Sequence, residues 1–504
     1  WTLSSWLGEN RSNIESLTLN SGTIIPEHFA SYCPNLQEIN LANTITTIGE
    51  YAFYDCENIT SIVIPDSVIS LGDNAFSSCE LLSTVTLSNS LESIGAYAFY
   101  RCNALTNITL PASLKSIGNQ AFASTSLTEL TIPESVEQID YSILNSVYTI
   151  TSLTIPDTEL SPSEEFCSLS KWFFSTNGYN SDLPESLTSV TITGGSKIAD
   201  SYFYNCNYLT EINLPDTLTE IETRAFYGCT AIEKITIPDS VTKIGAYAFD
   251  STAWYDLQKN GVVYAGNVAI GYKGDIPKNF KLTFADDTVG IADNAFESDD
   301  IISVAFPESL VHIGNAAFCC CDELTEVSFP ASLESVGDSA FYWCHMDEIK
   351  LNKGLKSIGV QAFASNDITS VVIPDSVEYL GNEAFAGCSE LSDVTIPDSI
   401  TVVGDVPFNG TKWYENQKDG PVYIGKTFYG YKGTMPHNLK LEIRDGTTAI
   451  AKSALENCID LYSIVLPESL ESIGSNAFYG CDNLTSIDIP DNVSLIGEYA
   501  FKNR

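Results

Sequence analysis

The chain of 504 residues is too long for one compact core, since globular domains usually divide beyond about 250–300 residues, so it holds several domains or one long repeat array. Its formal net charge is −41, and so acidic a chain repels phosphate groups, which disfavours nucleic acid and anionic membranes as partners. No apolar run approaches the roughly 20 residues of a membrane span, so we expect no membrane insertion by this segment.

A phenylalanine recurs at a fixed interval and predicts a repeat protein. Phe53 and Phe76 are 23 residues apart, and each follows an alanine; Phe29 begins the series, and Leu144 and Leu455 occupy the same slot. Including these, 18 copies are recognisable, the others being Phe99, Phe122, Phe203, Phe226, Phe249, Phe296, Phe318, Phe341, Phe363, Phe385, Phe408, Phe478 and Phe501. No single copy can bury its own apolar residues, so we expect the copies to stack.

The copy at residues 59–79, "ITSIVIPDSVISLGDNAFSSC", shows how one repeat is built. Ile62 and Ile64 alternate with Val63, which predicts a strand with two side chains facing inward. Pro65 has no N–H for the ladder and ends that strand, and Asp66 favours a turn.

The period and the pattern "L-x-x-I-x-I-P-x-S-V-x-x-I-G-x-x-A-F-x-x-C" resemble the BspA-like leucine-rich-repeat surface proteins over nearly the whole chain. This resemblance implies an α/β repeat solenoid, a curved right-handed coil of ~18–20 repeats with a parallel β-sheet on its concave face. It also implies a secreted or cell-surface microbial protein that serves in adhesion or recognition.

We expect a single solenoid over residues 1–504.

 The regular repeats occupy residues 15–144, an irregular segment follows at 145–200, and regular repeats resume over 201–504. We expect the chain to act as a monomer. It begins at Trp1 rather than Met, so we expect export and attachment signals to lie outside the given segment.

Two insertions of 24 residues interrupt the second half, and we expect a β-hairpin near 251–275 and another near 410–434. The second contains Gly420–Thr427, "GPVYIGKT", which fits the phosphate-loop pattern GxxxxGK[ST]. Its sister in the first insertion has Asn267 and Val268 in place of the lysine and the hydroxyl residue. A phosphate loop also needs a helix directly after it, whereas "FYGYKG" suits a strand, so we interpret the match as chance.

The insertions are rich in aromatic residues, and two interpretations stay open. The rings pack on the flank of the solenoid, or they present flat faces on which a glycan stacks. The candidate stacking residues are Trp254, Tyr255, Tyr264, Tyr272, Trp413, Tyr414, Tyr423 and Tyr431.

Ten of the 14 cysteines lie three residues after the repeat Phe or its Leu substitute, a slot that Thr125, Thr252, Asn366 and Thr411 fill elsewhere. A slot that accepts Cys, Thr or Asn favours a small side chain at a buried bend, so we expect free thiols rather than disulfides. Metal binding is disfavoured because the cysteines of this slot recur at a spacing of 23 residues, and because "CCC" at 319–321 lacks a second ligand pair. The glycine of "IG" is replaced in five copies, which favours close packing over an obligatory positive φ.

Catalysis has little support, because the four histidines fall in unrelated repeats and no HExxH, GxSxG or CxxC motif occurs, so we expect no enzyme and no cofactor. Acidic residues follow the strand-ending proline in many copies. They either cap turns in water or line a weak calcium-binding edge, although no calcium loop of the D-x-D-x-D-G type supports the second interpretation. These residues are Asp66, Glu134, Asp157, Asp216, Asp239, Glu308, Asp375, Asp398, Glu468 and Asp491.

The outward residue of each strand is usually threonine in the first half, as β-propensity favours. In the second half it varies in charge and apolarity, as discrimination between partners requires. We therefore expect a ligand-binding face formed by Ser328, Lys350, Val372, Thr395, Glu442, Val465 and Asp488.

These patterns favour a non-enzymatic recognition or adhesion protein, extracellular or at the cell surface, that binds a host or microbial surface protein or glycan through an extended solenoid surface. One alternative is a carbohydrate-binding accessory protein that uses the aromatic hairpins. Another is a passive spacer for a further module.

Overall fold

The computed structural model describes residues 8–158, 168–174, 183–298 and 300–502. Part of the irregular segment 145–200, including Cys167, therefore lies outside the described residues. The chain divides into two compact units: unit 1 contains Trp1–Val241 and Gly245–Gln258, and unit 2 contains Thr242–Ile244 and Lys259–Arg504.

The regular secondary structure of unit 1 is mainly short strands, which are joined by turns. A 3₁₀ helix covers Gly8–Asn13, and two α-helices cover Leu169–Phe173 (α1) and Ala253–Asp256 (α2). The strands are β1 Ser16–Leu19, β2 Ile24–Ile25, β3 Glu38–Leu41, β4 Thr47–Ile48, β5 Ser61–Val63, β6 Ser70–Leu71, β7 Thr84–Thr86, β8 Ser93–Ile94, β9 Ser116–Ile117, β10 Glu129–Thr131, β11 Gln138–Ile139, β12 Ser152–Ile155, β13 Ser189–Ile192, β14 Lys197–Ile198, β15 Glu211–Asn213 and β16 Glu220–Ile221.

Unit 2 has the same character, with one α-helix at Lys412–Glu415 (α3). Its strands are β17 Lys243–Ile244, β18 Gly261–Ala265, β19 Val268–Lys273, β20 Phe280–Thr283, β21 Gly290–Ile291, β22 Ile301–Ala305, β23 His312–Ile313, β24 Glu326–Ser328, β25 Ser335–Val336, β26 Ser357–Ile358, β27 Ser370–Val372, β28 Tyr379–Leu380, β29 Asp393–Thr395, β30 Val402–Val403, β31 Gly420–Ile424, β32 Thr427–Lys432, β33 Leu439–Glu442, β34 Ala449–Ile450, β35 Leu461–Val465, β36 Ser472–Ile473 and β37 Leu495–Ile496.

A typical repeat contributes two strands, each of which pairs in parallel with its equivalent in the next repeat. The first strand precedes the proline, as in β5, which pairs with β7 with Ile62 opposite Val85. The second strand has two residues and precedes the glycine, as in β6, which pairs with β8 with Leu71 opposite Ile94. The architecture is therefore a parallel β-solenoid of leucine-rich-repeat type.

The first strands and the second strands of the repeats form sheets of different sizes. In unit 1 the six second strands up to Ile139 form one sheet, in the order β11-β9-β8-β6-β4-β2, whereas β14 and β16 belong to another sheet. The first strands form separate sheets of two to four strands, such as β5-β7 and β10-β12-β13-β15. The sequence predicted the first strand of the repeat but not the second, because two residues are too few to show a period.

Helices are few, so the α/β description is not confirmed. Among the described residues, the three α-helices have only four or five residues each. The turn between the second strand and the cysteine contains two left-handed residues, exemplified by Asn74 (φ 55°) and Ser78 (φ 61°). A right-handed helix cannot continue through such residues, so this part of the repeat folds as consecutive turns.

The repeat phenylalanines form the centre of the core. Phe76 and Phe99 are fully buried, and their ring centroids lie 5.7 Å apart with planes only 4° from parallel. The same stacking recurs in unit 2, where Phe341 and Phe363 lie 5.6 Å apart at 3°. Each ring thus covers the next, which is how the stack buries apolar surface that one repeat alone would expose.

The cysteine slot beside this stack contains thiols. The 13 described cysteines form no disulfide with one another. Cys79 is fully buried, and its thiol donates to the carbonyl oxygen of Phe53 in the preceding repeat. Where Thr125 replaces cysteine, its hydroxyl donates to the Phe122 carbonyl oxygen at 2.8 Å. The slot therefore selects a small donor for a buried carbonyl, and the expectation of thiols is confirmed for these cysteines.

The repeat glycine is selected by close packing. Gly95 lacks a positive φ, and a Cβ placed on it would lie 2.6 Å from the Asp73 backbone nitrogen of the preceding repeat. Alanine occurs in this slot at 199, 292 and 451, each in the first repeat after the irregular segment or a hairpin. Asp140 and Glu222 fill the same slot after regular repeats, so the close contact favours glycine there without requiring it.

Candidate interaction surface

Alternation along the first strands decides which side chains face solvent. In β27 and the residue after it, Val371 and Ile373 are buried, whereas the Val372 side chain between them is 64% exposed. Because successive residues of a strand point to opposite faces, every first strand of this kind presents alternate residues outward.

All seven residues predicted for the ligand-binding face are exposed. Val372 lies opposite Thr395 in the β27–β29 pair, and Glu442 lies opposite Val465 in the β33–β35 pair. The seven residues are Ser328, Lys350, Val372, Thr395, Glu442, Val465 and Asp488, all in unit 2. Lys350 and Asp488 lie outside the strands, so at these two positions the expected ladder is interrupted.

The interruption at Lys350 is accompanied by an unusual sequence in the turn that comes next in the chain. Residues 352–354 are Asn-Lys-Gly instead of the usual Pro-Asp-Ser. The Asn352 side-chain amide donates to the carbonyl oxygens of Ala331 and Leu333, at 3.0 and 2.9 Å. The side chain thus ties this turn to the preceding repeat at the place where the strand ladder stops.

Two grooves meet at this interruption. One, of about 440 Å³, is lined by residues of the 281–283, 303–305 and 325–328 segments together with Glu348 and Lys350. The other, of about 860 Å³, runs from Glu348 and Lys350 across Val372 to Thr395. Four of the seven predicted residues, Ser328, Lys350, Val372 and Thr395, therefore line one continuous stretch of surface.

Three lysines line the grooves of this strongly acidic chain, together with the carboxylates of Glu348 and Asp375. Lys281 lines the first groove, Lys353 lines the second, and Lys350 lies in both. Lys350 forms an ion pair of 3.0 Å with Glu348, but both side chains are mostly exposed, so water screens the pair and it contributes little to stability. These lysines remain available to an acidic group of a partner.

A second outward column was missed from the sequence. Lys281, Ser370 and Asp393 lie two residues before the predicted outward positions of their strands, and all three are exposed. The signal was present, because a period of two places residues i and i−2 on the same face. The prediction named one outward residue per strand, so it covered about half of the outward face.

The stretch that matches a phosphate loop is a hairpin. β31 and β32 pair antiparallel, and the turn between them is Gly425-Lys426. Thr427 starts β32 rather than a helix, and its hydroxyl is buried, away from any anion that could approach Lys426. The first insertion folds in the same way, with β18 and β19 antiparallel.

The hairpin aromatics are half-buried and packed. Trp413 lies against Phe408 with ring centroids 4.8 Å apart, and Trp254 lies against Phe249 at 4.9 Å. The Tyr423 hydroxyl accepts a hydrogen bond from the Arg444 backbone at 3.0 Å, with the Arg444 guanidinium over the ring. These contacts support packing on the flank of the solenoid and do not favour stacking on a glycan.

The tyrosines at the start of each insertion are also engaged. Burial raises the pKa of Tyr255, with smaller contributions from Asp250 and Asp256. Tyr414 packs edge-on against Tyr429, with centroids 6.2 Å apart. Of the other candidates, Tyr264 accepts a hydrogen bond from the Ala285 backbone at 2.9 Å, and Tyr272 packs edge-on against Phe280 with centroids 5.4 Å apart. Tyr431 is half-buried against the core of unit 2.

The acidic residues after the proline act in turns where the structure shows their contacts. The Asp66 carboxylate accepts hydrogen bonds from the backbone and side chain of Asn89 in the next repeat, at 2.9 and 3.1 Å. Within the described ranges, no three His, Cys, Asp or Glu side chains are grouped closely enough to hold a metal ion. A search of the same ranges for a helix of membrane-spanning length and apolarity found none.

The family model described as BspA type Leucine rich repeat region matches residues 22–151, 182–261, 289–414 and 426–504 in six copies. The chain belongs to this family. The BspA-type matches are interrupted at 152–181, 262–288 and 415–425, and these gaps fall on the irregular segment and on the two hairpins.

Solved structures of similar proteins include a leucine-rich repeat protein from Bacteroides ovatus, 22% identical with a TM-score of 0.26, covering 91% of this chain and 80% of that one. Another is a leucine rich cell surface protein from Faecalibacterium prausnitzii, 23% identical with a TM-score of 0.24, covering 79% of this chain and 86% of that one. Comparison with curated protein sequences found no match for this BspA-type chain.

Proposed function

We propose that this BspA-type protein is an extracellular or cell-surface recognition protein that binds another surface protein through the outward face of unit 2. The observation that carries the proposal is the continuous groove surface from Ser328 through Lys350 and Val372 to Thr395. It combines cationic, apolar and hydroxyl side chains within a few repeats.

A rigid scaffold supports this role. The repeats beneath the groove are packed through buried Phe341, Phe363 and Phe385, whose rings stack with centroids 5.5–5.6 Å apart. A surface fixed in this way loses little conformational entropy when a partner binds, which favours affinity. We propose a non-enzymatic role for this face.

A protein partner fits this surface better than a glycan. Val372 and Val465 are exposed by 64% and 60%, and branched aliphatic side chains bury well against other apolar side chains. The aromatic rings that a sugar would need are half-buried at the hairpins. We propose that the hairpins are insertions with a structural role at the boundaries between runs of repeats.

The first experiment is a binding screen of the purified chain against extracellular-matrix proteins and a glycan array. We expect a protein ligand whose binding is lost when Lys350, Val372, Glu442 and Val465 are replaced together by threonine, the residue that dominates the outward column of unit 1. The matched control changes two outward residues of unit 1, Thr86→Val and Thr131→Glu, and is expected to bind normally.

Other outcomes would contradict the proposal in distinct ways. Full binding by the fourfold threonine variant would place the site elsewhere. Binding to a glycan that is lost in Trp254→Ala and Trp413→Ala would favour the hairpins instead. The absence of any ligand in both screens would favour the role of a spacer.

A further inference from the structure

Cys319 and Cys320 differ from the other described cysteines of unit 2. They follow Phe318 directly and precede Cys321, which fills the usual slot and donates to the Phe296 carbonyl oxygen at 3.1 Å. Their own sulfur atoms lie 3.2 Å from each other, and both side chains are partly exposed. A solvent-accessible pair of neighbouring thiols thus lies on the turn of this repeat.

The fold does not require thiols at these two positions. The repeat centred on Phe76 has the sequence Ala-Phe-Ser-Ser-Cys at 75–79, whereas this repeat has Ala-Phe-Cys-Cys-Cys at 317–321. The backbone is the same in both, since Ser78 and Cys320 have φ of 61° and 59°. Serine therefore satisfies the conformation, and the two thiols need another explanation.

We propose that Cys319 and Cys320 form a reversible vicinal disulfide when they meet a small-molecule disulfide, so that this turn is a redox-sensitive modification site. One thiolate attacks the small-molecule disulfide, forms a mixed disulfide and releases one small thiol. The second cysteine then attacks the protein sulfur of that mixed disulfide, its proton passing to the departing thiolate. Two protein thiols and one disulfide thus give one protein disulfide and two small thiols.

Burial disfavours Cys319 as the residue that attacks first. Burial raises the pKa of Cys319 to about 12, with the Cys320 contact and the nearby Glu297 carboxylate raising it further, so its thiol stays protonated at neutral pH. Ring closure is then intramolecular, because the two sulfur atoms are already in contact, and it outruns attack by a second small molecule.

The product would be labile rather than a structural crosslink. Consecutive Cα atoms are about 3.8 Å apart, less than the roughly 4.4–6.8 Å that ordinary disulfides span, so the ring is strained and easily reduced. The Cys320 backbone nitrogen donates to the Tyr342 carbonyl oxygen of the next repeat at 2.8 Å. Closing the ring therefore restrains the turn that joins these two repeats.

The test treats the whole reduced chain with oxidised glutathione, blocks remaining thiols with N-ethylmaleimide and analyses unreduced peptides by mass spectrometry. We expect the peptide containing 319–321 to lose two hydrogen atoms through a bond between Cys319 and Cys320, and dithiothreitol to reverse the loss. In Cys319→Ser, which cannot close the ring, we expect glutathione to stay attached to Cys320.

Two results would overturn the proposal: a wild-type peptide that keeps glutathione on either cysteine, or one in which both are blocked by N-ethylmaleimide after oxidation. The double variant Cys319→Ser with Cys320→Ser reproduces the native 75–79 sequence, so it should fold and show no ring. Cys458, a partly exposed thiol with no cysteine beside it in sequence, is the internal control and should not form a vicinal disulfide.

Discussion

The thiol of Cys79 donates a hydrogen bond of 3.3 Å to the carbonyl oxygen of Phe53, one repeat earlier in the stack. Equivalent bonds join Cys102 to Phe76 at 3.2 Å and Cys388 to Phe363 at 3.2 Å. These regularly spaced cysteines, which could suggest disulfides, are therefore buried hydrogen-bond donors that link neighbouring repeats.

For this slot we predict that Cys79→Ala lowers the free energy of unfolding by about 1 kcal/mol, because the Phe53 carbonyl loses its buried donor. Cys79→Thr should cost a similar amount, because a threonine hydroxyl in this slot donates to the carbonyl of its own repeat, as Thr125 does to Phe122, and leaves the Phe53 carbonyl without its donor. Urea unfolding followed by circular dichroism measures both variants. A much larger loss for Ala than for Thr would show that the volume of the side chain, and not the hydrogen bond to Phe53, decides the slot.

At the repeat glycine we predict that Gly314→Ala destabilises unit 2 by about 1–3 kcal/mol through overpacking. The added Cβ would lie 2.6 Å from the Asp293 backbone nitrogen and 2.7 Å from the Ala292 carbonyl carbon. The control is Gly430→Ala, whose Cβ would have a single neighbour at 3.2 Å and should have a smaller effect. Thermal unfolding of the two variants compares them, and a larger loss at Gly430 would contradict the packing explanation.

The hairpins offer a matched pair of tyrosines. Tyr423→Phe and Tyr264→Phe each remove the acceptor of a backbone N–H, that of Arg444 or Ala285, and each should cost about 1 kcal/mol. Amide hydrogen exchange should quicken at Arg444 in the first variant and at Ala285 in the second. Unchanged exchange at both amides would show that the rings alone hold the hairpins in place.

His312 should make unit 2 sensitive to mild acid. Burial lowers its pKa to about 4, with a smaller contribution from Lys243, while the ordinary value is 6.5. Between these values the unfolded chain binds a proton that the folded chain does not, so stability falls as the pH drops from 6.5 to 4, by up to about 3 kcal/mol. Denaturant unfolding at several pH values, compared with His312→Asn, isolates this contribution from that of the many carboxylates.

If His312→Asn and the wild-type chain lose stability in parallel over that range, the histidine is not responsible. The Ser335 hydroxyl, 2.6 Å from Nδ1 of His312, is a second check, because Ser335→Ala removes this partner while leaving the imidazole in place. We expect Ser335→Ala to keep the pH dependence of the wild-type chain.

The candidate surface was predictable where strand alternation alone decides exposure. Val372 and Thr395 face solvent because their neighbours on either side, such as Val371 and Ile373, are apolar and must be buried. The grooves could not be predicted, because they depend on the interruption of the ladder at Lys350. At that place the Asn352 side chain contacts carbonyl oxygens 19–21 positions earlier in the chain, and no local pattern in the sequence indicates these contacts.

The sequence by itself determined the repeat, its first strand and its buried phenylalanine. A period of 22 or 23 residues places the same residue types at the same positions of each copy, and the apolar side chains of every copy must be buried against those of its neighbours. Only the tertiary structure decided where a sulfur atom donates, which glycines touch the repeat before them and that the hairpin rings are packed. Those outcomes depend on distances between atoms in different repeats, and no local pattern of residues carries that information.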